Sequence, residues 1–135
     1  MHIQNDTHAA PEPADLKPLF RMHAELCKAL ANQYRLGILY ALSQKEMCVS
    51  DLASALEIPV HNASQHLRVL KDQMLVRPRK DGQTVYYSMT NPKFIQGCTL
   101  IRQALLEQHR ELGESLLAPG VLDAIQHLPL PTATE

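Results

Sequence analysis

Apolar residues recur near the N-terminus at alternating intervals of three and four: Leu16, Leu19, Leu26 and Leu30, with His23 in the remaining slot. This spacing predicts an amphipathic helix to about Ala31, and Asp15 is of a type that caps such a helix. Asn32 interrupts and can cap a second helix, through Leu36, Ile38, Leu39 and Leu42. After the polar break 43-SQKE-46, the stretch 47-MCVSDLASAL-56 reads as a third helix with Leu52, Ala53, Ala55 and Leu56 as its apolar face. It should end near Glu57, because Pro59 disfavours helical geometry in the residue before it. Helix resumes through 61-HNASQHLRVLKDQM-74, with Ala63, Leu67 and Leu70 inward. Two helices joined by so short a turn form a helix-turn-helix candidate.

The pattern then changes period. In 75-LVRPRKDGQTVYYSM-89, Asp81-Gly82 supplies the backbone angles of a tight turn, and Thr84 to Tyr87 form strand, so a β-hairpin is predicted. Pro78 assigns the first strand to an edge. Asn91-Pro92 opens a long helix whose apolar positions are Phe94, Cys98, Ile101, Leu105, Leu112 and Leu116, with His109 filling a gap, until Ala118-Pro119-Gly120 stops it. A short helix follows at 121–127. The expected fold is mainly α with a small β-hairpin, a winged helix-turn-helix. Residues 1–14 read as a flexible arm, 15–118 as the domain, and 119–135 as a short helix and frayed tail.

Composition narrows the class. A length of 135 residues suits one domain. No apolar run reaches a membrane span, and the polar first eighteen residues do not resemble a signal peptide, so a cytoplasmic location is expected. Three widely spaced cysteines (Cys27, Cys48, Cys98) do not make a disulfide framework. Gly-rich phosphate loops, paired histidines on one helical face and nucleophile elbows are all missing, so an enzyme is not expected.

The net charge of −1 conceals an uneven distribution. Residues 68–93 set Arg68, Lys71, Arg77, Arg79, Lys80 and Lys93 against only Asp72 and Asp81, while 107–135 is acidic. A basic segment in a near-neutral chain fits one surface that meets phosphate. In a winged helix-turn-helix the second helix of the motif enters the major groove, and here it presents His61, Asn62, Ser64, Gln65, His66 and Arg68. Asn and Gln suit bidentate adenine contacts. Arg77, Arg79 and Lys80 on the hairpin can reach phosphate or the minor groove. Double-stranded DNA is the expected partner. Five-residue spacing keeps His61 and His66 off one helical face, so DNA explains them better than metal does.

In combination, 26-LCKALANQYRLGILYAL-42, 46-EMCVSDLASAL-56, 64-SQHLRVLKDQMLV-76 and 79-RKDGQTVYYSM-89 resemble the ArsR/SmtB metalloregulators, over about residues 16–110. The resemblance implies a repressor that is a homodimer joined by its first and last helices, and that is released from operator DNA by an inducer. The seams at 16–30 and 94–116 agree with such a dimer, or with packing inside one protomer. One family site resembles E-L-C-V-C-D-L and binds thiophilic metals or metalloids through two thiolates. Here 46-EMCVSDL-52 keeps Cys48 but has Ser50 for the second cysteine, which argues against a three-thiolate arsenite site. A zinc-responsive variant uses Cys-x-x-Asp with ligands from the other subunit's arm. Cys48 and Asp51 match that spacing, and the arm offers His2, Asp6 and His8. A second family site resembles Asp-x-His after the hairpin; Asn91-Pro92-Lys93 stands in its place.

Cys48 occupies the cap position of its helix, and a thiol caps poorly. The same position faces free backbone N–H groups and the positive dipole end, a setting that favours thiolate. Cys48 is therefore the candidate sensing residue, for zinc or another thiophilic ion, or for oxidant or sulfane sulfur with Cys98 or Cys27 as resolving thiol. The plain alternative is a small packed side chain. Cys27 and Cys98 lie in amphipathic helices, where packing accounts for them, and His109 suits a hydrogen-bonded interface.

Overall fold

A computed structural model describes residues 9–128. Pro13–Leu16 form a 3-10 turn, followed by helices α1 (Lys17–Leu30) and α2 (Gln33–Gln44). A two-residue strand β1 (Met47–Cys48) leads into α3 (Val49–Leu56) and α4 (Val60–Asp72). Strands β2 (Val76–Asp81) and β3 (Thr84–Met89) form the wing. Helices α5 (Pro92–Gln108), α6 (Arg110–Leu116) and α7 (Val121–Gln126) complete the order.

Local chemistry accounts for most boundaries. Asn32 caps α2, its Oδ1 accepting from the backbone N–H of Tyr34 at 2.9 Å and of Arg35 at 3.1 Å. Asn91 caps α5 by accepting from Lys93 N–H at 3.0 Å, with Pro92 in the first turn. Helix α3 ends at a left-handed Glu57 (φ 56°), where Ile58 N–H reaches back to the Ala53 carbonyl at 3.0 Å. Met74 (φ 58°) ends α4 the same way, with Leu75 N–H donating to the Leu70 carbonyl. Both are closures that glycine usually makes.

The first cap, the hairpin loop, the number of strands and the length of the last helix differ from expectation. Asp15 does not cap the first helix: Pro13 starts the 3-10 turn, and Asp15 lies within it, its N–H donating to the Glu12 carbonyl. The hairpin loop is Gly82-Gln83 rather than Asp81-Gly82, with the positive φ (62°) at Gly82 alone. The sheet has a third strand, in the order β1-β3-β2, which leaves β2 with its Pro78 at an edge. The last long helix breaks at His109 (φ −125°, ψ 44°), and the bend brings the bare backbone of Gly113 against Leu106 and Leu122.

The core joins Ile38, Leu39 and Leu42 of α2 to Leu52 of α3 and Leu67 and Leu70 of α4. Leu75, Val76 and Ile95 close it, and Met47, Tyr87 and Met89 of the sheet pack against it. Each fully buried Leu contributes about 1.5–3 kcal/mol. Leu36 and Ala55, read as inward, are exposed, whereas Ile95 is a core residue outside the predicted seam. At Gly37 a Cβ would sit 2.6 Å from a methyl of Leu56, so the bare backbone there lets α3 lie close on α2. The result holds α4 rigidly by one face and leaves its other face outward.

Candidate nucleic-acid interface and thiol site

Ala63, Leu67 and Leu70 are completely buried and fix the rotation of α4. His61, Ser64, Gln65 and Arg68 are consequently exposed, and Asn62 is half-buried. Ser64, Gln65 and Arg68 line a cleft together with Lys71, Asp72 and Tyr87 of β3. Lys71 was legible as part of this stripe, because positions 64, 68 and 71 follow one helical face. Tyr87 was not, since its place depends on strand pairing.

His66 behaves differently. Its Nδ1 lies 3.4 Å from Arg35 Nη1, and its ring is 5.7 Å from that of Tyr34, tilted by 31°. Arg35 in turn donates through Nε to the Ala29 carbonyl and through Nη2 to the Lys28 carbonyl, tying down the last turn of α1. Burial, and secondarily the Arg35 charge, lower the His66 pKa. The ring thus packs on the α1–α2 corner, in its neutral form, beside the exposed stripe rather than within it.

On the wing Arg77, Arg79 and Lys80 are all exposed, but Arg79 is engaged. Its Nη2 lies 2.6 Å from Glu46 Oε1, and its Nε is within 3.2 Å of both carboxylate oxygens. The guanidinium also stands 5.0 Å from the centroid of Tyr86 and 3.9 Å from Asp81. Glu46 is 33 residues away in sequence, and no local pattern pairs the two.

Cys48 occupies the position before α3 and makes no side-chain cap bond. It is 9% exposed, with Sγ 3.4 Å from Ser50 Oγ. Asp51 lies exposed in the first turn of the same helix. His2, Asp6 and His8 fall outside the described residues. Among the described residues no group of three or more His, Cys, Asp or Glu could hold a metal ion. Cys48 and Asp51 alone offer two donors where zinc takes four, so the described residues do not by themselves fit a closed zinc site. Cys27 is exposed on α1 and Cys98 half-buried on α5. Burial raises the Cys98 pKa, with Arg102 pulling it down and Cys27 pushing it up. His109 is exposed at the α5–α6 bend. No helix among the described residues is long and apolar enough to cross a membrane.

The profile described as "Bacterial regulatory protein, arsR family" matches residues 32–77, from the cap of α2 into β2. A "Transcriptional repressor SmtB homolog" of Synechocystis is 37% identical over 91 residues, covering 67% of this chain and 68% of that protein. A "Cadmium resistance transcriptional regulatory protein CadC homolog" of Staphylococcus aureus is 40% identical over 86 residues, covering 63% and 69%. Among solved structures, a homodimeric winged helix-turn-helix DNA-binding domain from Mycobacterium bovis superposes with a TM-score of 0.63 at 32% identity. It covers 76% of this chain and 94% of that one.

Proposed function

The chain belongs to the arsR family of bacterial regulatory proteins, and on that premise we propose that it is a homodimeric cytoplasmic repressor, released from double-stranded operator DNA by an inducer acting at Cys48. The observation that carries the DNA reading is the exposed stripe of α4. Ser64, Gln65 and Arg68 project from a helix whose opposite face is locked in the core. Gln65 and Ser64 read base edges, helped by His61, Asn62 and the flank of His66, while Arg68, Lys71, Arg77 and Lys80 meet phosphate. The unit that does this is residues 15–118, with 1–14 as an arm and 119–135 as an appendage.

The dimer reading rests on apolar faces left open in one protomer. Leu19, Phe20 and Met22 (72% exposed) mark α1, and Leu100, Ile101 (63%), Leu105, Leu112 and Leu116 mark α5 and α6. Joining them in pairs buries large side chains that water otherwise meets.

For the inducer, support comes from the unused cap. A serine at position 48 would accept a backbone N–H and stabilise α3 by about 1 kcal/mol, and the cysteine forgoes this. The first reading is a thiophilic metal ion held by Cys48 and Asp51 with His2 and His8. Such an ion would supply a soft Lewis-acidic centre joining the arm to the start of α3. The second reading is a thiol switch at Cys48, with Cys98 or Cys27 as the resolving thiol. Cys48→Ser should bind operator DNA as the unaltered chain does and stay bound when zinc or persulfide is added. Deleting residues 1–10 should blunt release by metal and leave a thiol switch untouched. If Cys48→Ser is released like the parent by both reagents, Cys48 is only a small packed residue.

A further inference from the structure

Ion pairs elsewhere among the described residues join neighbours: Glu25 with Lys28, Arg79 with Asp81, Arg110 with Glu114. The contact between Glu46 and Arg79 is the one that crosses between elements. The sheet register explains how it forms. Cys48 on β1 and Arg79 on β2 both pair with Tyr86 of β3, so the three stand in a row across the sheet, side chains to one face. Glu46, two residues before Cys48, continues that face, and its carboxylate reaches diagonally to the Arg79 guanidinium, which stands over the Tyr86 ring.

The geometry uses up the cation. Glu46 takes Nη2 and Nε in a fork, and Asp81 stands off Nη1. Among the described residues Arg77 and Lys80 form no ion pair, and they stand on opposite faces of β2, available to phosphate.

We propose that Glu46 is a positioning residue that withholds Arg79 from the DNA backbone and thereby sets the strength and salt dependence of binding. This rests on the DNA-binding reading above and extends it to a residue outside the helix-turn-helix and the wing. Each phosphate neutralised by a protein cation adds about 0.9 to the slope of log affinity against log salt. With Glu46 in place, Arg79 contributes little to that slope; without it, Arg79 contributes one full contact. Because Glu46 lies two residues from Cys48, the segment that carries the thiol also carries the acid that governs the wing.

The test is fluorescence anisotropy of a labelled non-operator duplex with the full chain, from 50 to 200 mM salt. Glu46→Gln should bind tighter, with a slope steeper by about 0.9, so that its advantage shrinks about 3.5-fold across that range. Arg79→Gln alone should leave the slope nearly unchanged, and in the Glu46→Gln background it should abolish the gain. Circular dichroism melting would show that both variants fold, as exposed side chains of the sheet surface should. An unchanged slope for Glu46→Gln would overturn the proposal. So would a slope flattened by about 0.9 in Arg79→Gln alone, because Arg79 would then already be on phosphate. Failure of the unaltered chain to bind any duplex would instead sink the DNA-binding reading and this inference with it.

Discussion

His66 shows how a side chain read one way in sequence acquires a different surrounding in the fold. Its place on α4 assigns it to the DNA-facing set, yet its Nδ1 faces Arg35 and its ring lies beside Tyr34. Position 66 falls between the buried stripe (63, 67, 70) and the exposed one, and helical periodicity cannot decide to which a flanking residue turns. Asn62 is half-buried for the same reason. The pH consequence follows from the direction of the shift. Burial and Arg35 lower the folded pKa below the ordinary 6.5, so the unfolded chain binds the extra proton first. The packing of neutral His66 therefore contributes fully above pH 6.5 and is lost as pH falls through the lowered folded value. Urea unfolding from pH 8 to pH 5 should show stability declining below about 6.5, and His66→Gln should reduce that decline. An identical profile for the variant would assign the pH dependence elsewhere. By contrast, Cys48 was fully legible: the break at 43–46 and the apolar face after it locate a helix start, and the cysteine is found there uncapped.

At the scale of elements, six helices and the hairpin follow from periodicity and punctuation, and what escapes is what depends on distant pairing. Asn32 and Asn91 announce their helices because capping is local chemistry. Strand β1 is two residues long, too short for alternation to register, and it exists only because β3 offers Tyr86 and Tyr87 as partners. The break at His109 is equally silent, since the apolar spacing runs on through it and only packing of Gly113 on Leu106 and Leu122 requires the bend. Pro59 predicts the end of α3 near Glu57, and the helix does end there, closed by Glu57 itself in left-handed geometry. A non-glycine residue there carries about 1 kcal/mol of strain. Glu57→Gly should relieve part of it and raise unfolding stability by about 0.5 kcal/mol, after the greater backbone freedom of glycine when unfolded is subtracted. Measured by chemical denaturation, a loss of stability would mean that the Glu57 side chain makes a contribution larger than its strain.

The whole molecule is a protomer with two kinds of outward face: polar α4 and wing, and apolar α1, α5 and α6. The sequence showed the seams but could not tell interior packing from an interface, because both place Leu and Ile at the same intervals. Exposure separates them: Leu26 and Leu30 turn to the core, while Leu19, Met22, Ile101 and Leu105 do not. If the open faces meet in a second copy, Ile101→Glu with Leu105→Glu should shift sedimentation from dimer to monomer and weaken operator binding together, leaving the circular dichroism of the fold intact. A double variant that remained dimeric would move the interface off α5. The central claim, that α4 reads base sequence, is tested most directly by measuring affinity for the DNA upstream of the protein's own coding sequence and for unrelated DNA, before and after Gln65→Ala. The account predicts that the ratio of the two affinities falls about 5- to 150-fold, the range of one bidentate base contact, while affinity for unrelated DNA barely changes. A Gln65→Ala variant that kept the parent's ratio, or lost both affinities equally, would contradict it.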